Sequence, residues 1–136
     1  MPLHIENKTR IKIGDIPFKE IKDVALGQGY ELSLVFVPSK TSHEVNRTYR
    51  KKDKPTNILS FPYSDTDGEI LMDIALVRDE ATCQGENLNT YIAYLFIHGL
   101  IHLKGFDHGS RMEEEERQVR NKFKSLFASS KPKSEK

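Results

Sequence analysis

A single cysteine, Cys83, stands in 136 residues. It can form no internal disulfide, and a cysteine-based zinc cage is excluded. There is no tryptophan, and 21 basic side chains nearly cancel 20 acidic ones to leave a formal charge of +1. A polycation that coats nucleic acid by bulk charge is thereby excluded, so any nucleic-acid site must be a local patch. Long hydrophobic runs are missing too. The most apolar stretch, Tyr91 to Leu103, carries two histidines and a glycine, and it falls short of the roughly 20 apolar residues that span a bilayer. It reads as a buried helix. The opening residues, MPLHIENK, lack the basic-then-apolar layout of a secretory signal. With no disulfide pair either, the expected compartment is the cytoplasm. No internal repeat is visible.

What is present is enough for one core. Hydrophobic residues make up 37% of the chain and charged residues 30%, which excludes a fully disordered chain, and the length suits a single domain. The reading is one domain over residues 1–128, followed by a flexible polar tail, 129–136, rich in Ser, Lys and Pro.

Periodicity sets out the elements. Leu3 and Ile5 with Ile11 and Ile13 suggest an opening strand or hairpin, and Ile16 to Leu26 has apolar residues at helical spacing, 18, 21, 24 and 25. ELSLVFV, Glu31 to Val37, predicts a buried strand ended by Pro38. Thr41 and Glu44 form a capping-box signature for a helix that stops near Lys52, before Pro55. Asn57–Phe61 and Glu69–Val77 read as strands, joined through a turn in which Asp67-Gly68 suggests a hairpin. A helix from Asp79 is interrupted by Gly85, and a long apolar helix runs from about Leu88 to Leu103. Ser110 and Glu113 form a second capping box, with Met112, Val119, Phe123 and Leu126 as its core stripe. The acidic run Glu113–Glu116 suits that helix's N-terminal dipole and receives no functional weight. The fold class is α/β with α+β character: one small mixed sheet of about four strands packed with about five helices.

His98 and His102 stand four apart in the apolar helix and so share a face. Gly105 can end the helix in a left-handed turn, letting the chain double back and offer His108. The run HGLIHLKGFDH thus presents three imidazoles, which leave a fourth position open, as in catalytic zinc sites. A lone helix histidine is ordinarily a core residue satisfied by a hydrogen bond; three at these offsets beside a turn glycine point to a metal. The spacing matches the zinc helix of metzincin proteases, except that Gly99 stands where those enzymes place the general-base glutamate. That glycine suggests close approach to the helix backbone. His4 and His43 have no evident partners and are taken as structural or surface residues, and Cys83 as an ordinary buried or half-buried one.

Arg47, Arg50, Lys51, Lys52 and Lys54 put five cations in eight positions, countered by Asp53. One account is a solvated helix C-terminus. The other is a phosphate site, because Pro55-Thr56 leads straight into a strand and pins the loop, where Arg50 could present its fork to a phosphate.

Together the two motifs resemble the YbeY family of bacterial rRNA maturation factors, zinc-dependent endoribonucleases directed at single strands. The family's H-G-x-L-H-L-x-G-Y-D-H run stands here as HGLIHLKGFDH, and its N-x-x-Y-R-x-x-D-x-P-T-D/N-V-L-S-F-P segment is matched by Asn46 to Pro62. The resemblance implies metal ligands at His98, His102 and His108, one zinc ion per chain, and a catalytic or substrate-positioning role for Arg50. It implies single-stranded RNA, rRNA in particular, as substrate, with 16S rRNA 3′-end maturation and ribosome quality control as the setting. The ribosome or its associated proteins are the implied partners, and no membrane is. Two departures bear on the site. Met72-Asp73-Ile74 stands where the family has Gly-Asp-Ile, and Phe106 replaces a tyrosine, removing a hydroxyl beside the metal.

Several alternatives stay open on these residues. Asp107 is equally a general base or a group that orients an imidazole. Zinc, nickel and cobalt all accept three imidazoles. The nucleophile is either water or the RNA 2′-hydroxyl. The non-enzymatic alternative is a ribosome-assembly binding factor whose metal staples helix to loop, and the metzincin spacing keeps a metallopeptidase as a third.

Overall fold

A computed structural model describes residues 3–106 and 109–127. The expected ligand His108, its neighbour Asp107 and the expected tail lie outside the described residues. The described chain runs β1 (Leu3–Asn7), α1 (Phe18–Leu26), β2 (Glu31–Val37), α2 (Ser39–Arg50), β3 (Ile58–Ser64), β4 (Asp67–Asp73), α3 (Ile74–Gln84), α4 (Leu88–Leu103), α5 (Ser110–Asn121) and α6 (Lys124–Phe127). Four strands form one mixed sheet in the order β1-β2-β4-β3. β1 and β4 flank β2 in parallel, while β3 closes one edge antiparallel to β4. The α/β expectation is met, with six helices among the described residues instead of about five.

β2 lies between two neighbours, and its continuous apolar run is what that position demands. Leu32, Leu34 and Phe36 enter the main core, while Val35 and Val37 are buried on the opposite face. α4 is apolar on nearly every side for the same reason: eleven of its 16 residues are buried. Its start is set by Asn87, whose Oδ1 accepts from the Thr90 amide at 3.1 Å.

The departures from expectation have local causes. β4 ends at Asp73, four residues early, because that carboxylate caps α3 by accepting from the Leu76 amide at 3.0 Å. The same buried carboxylate accepts from Ser39 Oγ at 2.9 Å and Ser42 Oγ at 2.8 Å, tying α2 to the end of β4. α2 therefore starts at Ser39, ahead of the Thr41 capping box, and ends at Arg50, where Lys51 takes a left-handed conformation (φ 60°). α5 starts after Gly109 with no side-chain cap, so its capping box is not formed either. β3 and β4 extend further than the turn chemistry suggested, and Ser64 pairs with Asp67 across Asp65-Thr66. Ile11 and Ile13 lie in a loop packed against the core, so the opening hairpin is a single strand.

In α1 the apolar spacing misassigns two positions. Val24 is exposed, whereas Lys22 is fully buried and donates through Nζ to the carbonyls of Gly27 (3.1 Å) and Tyr30 (2.9 Å) while pairing with Asp23 at 2.7 Å. A charged terminus thus satisfies the carbonyls leaving the helix, and its aliphatic stem fills the core. Cys83 is exposed, not buried or half-buried.

Candidate metal and phosphate site

α4 carries both described histidines of the motif on one face, with ring centroids 4.7 Å apart and planes at 90°. Each ring is oriented through its Nδ1. In His102, Nδ1–H donates to the Phe106 carbonyl at 3.1 Å. That carbonyl is brought back over the helix end by Gly105, whose φ of 105° is accessible to glycine at little cost. In His98, Nδ1–H donates to Glu116 Oε2 at 2.7 Å. Because a carbonyl or carboxylate only accepts, the Nδ1 proton is fixed and the lone pair of each neutral ring lies on Nε2. This is the tautomer a metal requires, and a carboxylate behind a ligating imidazole is its usual outer partner.

Glu116 is the residue of this candidate site that reading the sequence missed, since the acidic run was explained by the helix dipole alone. Only 5% of it is exposed, alongside Met112 at 2% and Val119 at 5%. The three share one face of α5 at the offsets i, i+4 and i+7, so a carboxylate in register with the core stripe was the available clue. Arg120 Nη1 stands 3.7 Å from its other oxygen.

His98 and His102 line a cleft of about 540 Å3 together with Arg50, Tyr49, Phe61 and Leu95. β3, the edge strand, forms its floor; the C-terminal end of α2 brings Arg50 to its rim. Among the described residues the Arg50 guanidinium makes no ion pair and no hydrogen bond. The loop that follows is held by Asn46, a buried side chain whose Nδ2 donates to the Lys54 carbonyl at 2.8 Å. The Asn57 carbonyl accepts from the Asp73 amide at 2.9 Å. The loop is therefore pinned, as the phosphate reading requires. His43, assigned no partner from the sequence, donates to Asp53 at 2.7 Å, and that hydrogen bond holds the Asp53 carboxyl below its ordinary range. Asp53 is thus engaged by His43, with Arg47 at 3.9 Å, and the charge of Arg50 is left uncompensated.

Gly99 answers the question raised by its missing glutamate. A Cβ there would lie 2.9 Å from Ile58 Cδ1 and 3.1 Å from both Ile70 Cδ1 and Ser60 Oγ, and Ser60 Oγ donates to the Gly99 carbonyl at 3.2 Å. The sheet packs directly on the helix at this point, and no room exists for a carboxylate. Met72, which stands where the resemblance places a glycine, is fully buried in the core and pairs with Ile58 across the β3–β4 ladder.

The structure thus brings Arg50, His98 and His102 to one cleft. Among the described residues no cluster of three or more potential ligands forms, since the third expected imidazole lies outside them. The donor chemistry fits a zinc-type cation: two imidazoles on one helix turn, each locked by an outer acceptor. A second recess of about 530 Å3 shares Pro62 and His102 with the cleft and is lined further on by Tyr63 and Lys104.

Comparison with known proteins finds a family and a shared fold. The family model described as endoribonuclease YbeY matches residues 5–131. A relative named endoribonuclease YbeY from Chromohalobacter salexigens is 46% identical over 94 residues, covering 64% of this chain and 61% of its own length. One of the same name from Aquifex aeolicus is 41% identical over 100 residues, covering 68% of this chain and 67% of its own. The chain thus spans about three fifths of the first of these relatives. A solution structure from Thermotoga maritima superposes with a TM-score of 0.62 at 22% identity, over 90% of this chain and 92% of that one, and shares the fold.

Proposed function

The chain belongs to the endoribonuclease YbeY family, and from that premise we propose that it is a metal-dependent endoribonuclease acting on single-stranded RNA. Ribosomal RNA is the proposed substrate class, with rRNA processing on the ribosome as the setting. The observation that carries the reading is the meeting of an uncompensated arginine and two oriented imidazoles in one cleft.

His98 and His102, with His108 as third ligand, would hold a zinc ion. When bound, it would supply Lewis acidity and activate water near neutral pH. Glu116 and the Phe106 carbonyl hold both Nδ1 protons, which keeps the two Nε2 lone pairs for coordination. Arg50 can pair two guanidinium N–H groups with the non-bridging phosphate oxygens and stabilise the negative charge that grows there. Such a donor contributes about 10²–10³-fold to rate. Exposed bases make the single strand the readable form, since an A-form duplex conceals them.

The metal-stapled assembly factor is less well supported. α4 is held by its own buried face, and the Phe106 carbonyl already ties the loop to His102. A peptidase lacks its base, and position 99 has no space for one. Metal analysis joined to an RNA-cleavage assay on wild type, Arg50→Ala and His102→Ala tests the proposal. Wild type should bind about one metal per chain and cut single strands. His102→Ala should stay folded and bind RNA without cutting it. Zinc-loaded wild type that is inert on every single-stranded RNA would overturn it.

A further inference from the structure

Beside Arg50 the cleft carries an aromatic corner that metal chemistry does not use. Tyr49, the residue before Arg50, is 69% exposed at the end of α2. Its ring meets Phe61 of β3 edge-on, with centroids 5.7 Å apart and planes at 70°. Phe61 thus packs against the tyrosine, whose ring is otherwise open to solvent, and both rings line the cleft with the histidine pair. A large ring left in water next to an arginine is an unsatisfied surface, and its two neighbours define what satisfies it. Arg50 lines the cleft, and the exposed Lys51, Lys52 and Lys54 follow it directly in the chain, so the matching ligand is anionic. The ring face asks for a flat apolar group. A nucleotide of a single strand offers both, a phosphate and an unpaired base, at neighbouring positions.

We infer that Tyr49, braced by Phe61, is a base-stacking platform that seats one unpaired nucleotide of single-stranded RNA while Arg50 engages the adjacent phosphate. The inference rests on the endoribonuclease reading and deepens it by placing a base subsite. Stacking tolerates any base, because every base has a π-face, so the platform selects for single strands without imposing a sequence. Recognition is divided between the two adjacent side chains, Arg50 reading the phosphate and Tyr49 the base.

The test is fluorescence anisotropy with the full chain and a labelled 2′-O-methyl octaribonucleotide, which resists cleavage, against an abasic strand of equal length and charge. Wild type should prefer the base-bearing strand by about 5-fold or more. Tyr49→Ala should lose the preference, and Tyr49→Phe should retain it, because stacking needs the ring and not the hydroxyl. Arg50→Ala should weaken both strands alike. At so exposed a position the alanine variant should fold normally, which circular dichroism verifies. A preference that is absent in wild type or survives in Tyr49→Ala overturns the platform, while binding of the base-bearing strand leaves the RNA reading standing. Binding of neither strand removes both. Displacement of the RNA by an unfolded polypeptide in wild type but not in Tyr49→Ala would assign the corner to peptide side chains and likewise overturn the inference.

Discussion

Removing the Glu116 carboxylate should weaken metal binding without unfolding the protein. The bond from His98 Nδ1 to Glu116 Oε2 is 2.7 Å long, with the carboxylate side chain 6% exposed and the imidazole 27% exposed. Hydrogen bonds to a charged group contribute about 1.5–3 kcal/mol. The partial exposure of the ring argues for the lower half of that range, about 1.5–2 kcal/mol, or roughly 10- to 30-fold in affinity. Glu116→Ala should lose that much zinc affinity in competition with a chromogenic chelator. Glu116→Gln retains an accepting oxygen and should lose less, because it gives up only the charge. His102→Ala removes a ligand outright and sets the scale for full loss. If Glu116→Ala bound zinc as tightly as wild type, the carboxylate would be a buried structural charge and its role in orienting His98 would be refuted.

Other perturbations have equally definite outcomes. Asp73→Ala removes the cap of α3 and the acceptor of two serine hydroxyls, and should cost about 2–4 kcal/mol in urea denaturation. Gly99→Glu would restore the metzincin carboxylate, but against Ile58 and Ile70 it should destabilise by about 3 kcal/mol or more and confer no peptidase activity on an unfolded substrate. Arg50→Ala should lower the rate of RNA cleavage by about 10²–10³-fold with zinc affinity unchanged, and Arg50→Lys should recover only part, lacking the planar fork. Tyr91, buried and donating to Glu80 at 2.9 Å, has its phenol pushed up from 10.0 to about 12, first by burial and then by that hydrogen bond. An unfolded tyrosine ionises first, so this stabilisation is complete below pH 10 and is lost as pH rises toward about 12. Stability curves of wild type and Tyr91→Phe should therefore converge across that window.

Much of the candidate site's geometry was legible because its logic is local. His98 and His102 meet through helix periodicity, and Gly105 does turn the chain with a positive φ, so spacing alone located the imidazole pair. Arg50 was legible because Pro55-Thr56 ties its loop to β3. β2 and α4 have the boundaries their apolar runs suggest. The failures arose where a polar group serves a distant partner. Asp73 ends a strand that hydropathy would have carried to Val77, because α2 supplies two hydroxyls to it. Lys22 is buried for carbonyls that lie five to eight residues onward, and Val24 is displaced to the surface. Glu116 was concealed in an acidic run with a sufficient explanation of its own. The Tyr49–Phe61 corner depends on β3 being the edge strand beside the end of α2, and no pattern in either segment alone encodes that proximity.

The most direct test of the account is incubation of the zinc-loaded chain with a circular single-stranded RNA, which has no ends to trim, resolved on a denaturing gel. The account predicts conversion of circle to line by wild type, slowed about 10²–10³-fold in Arg50→Ala. A circle left intact while linear RNA is shortened, or while neither is touched, would contradict it.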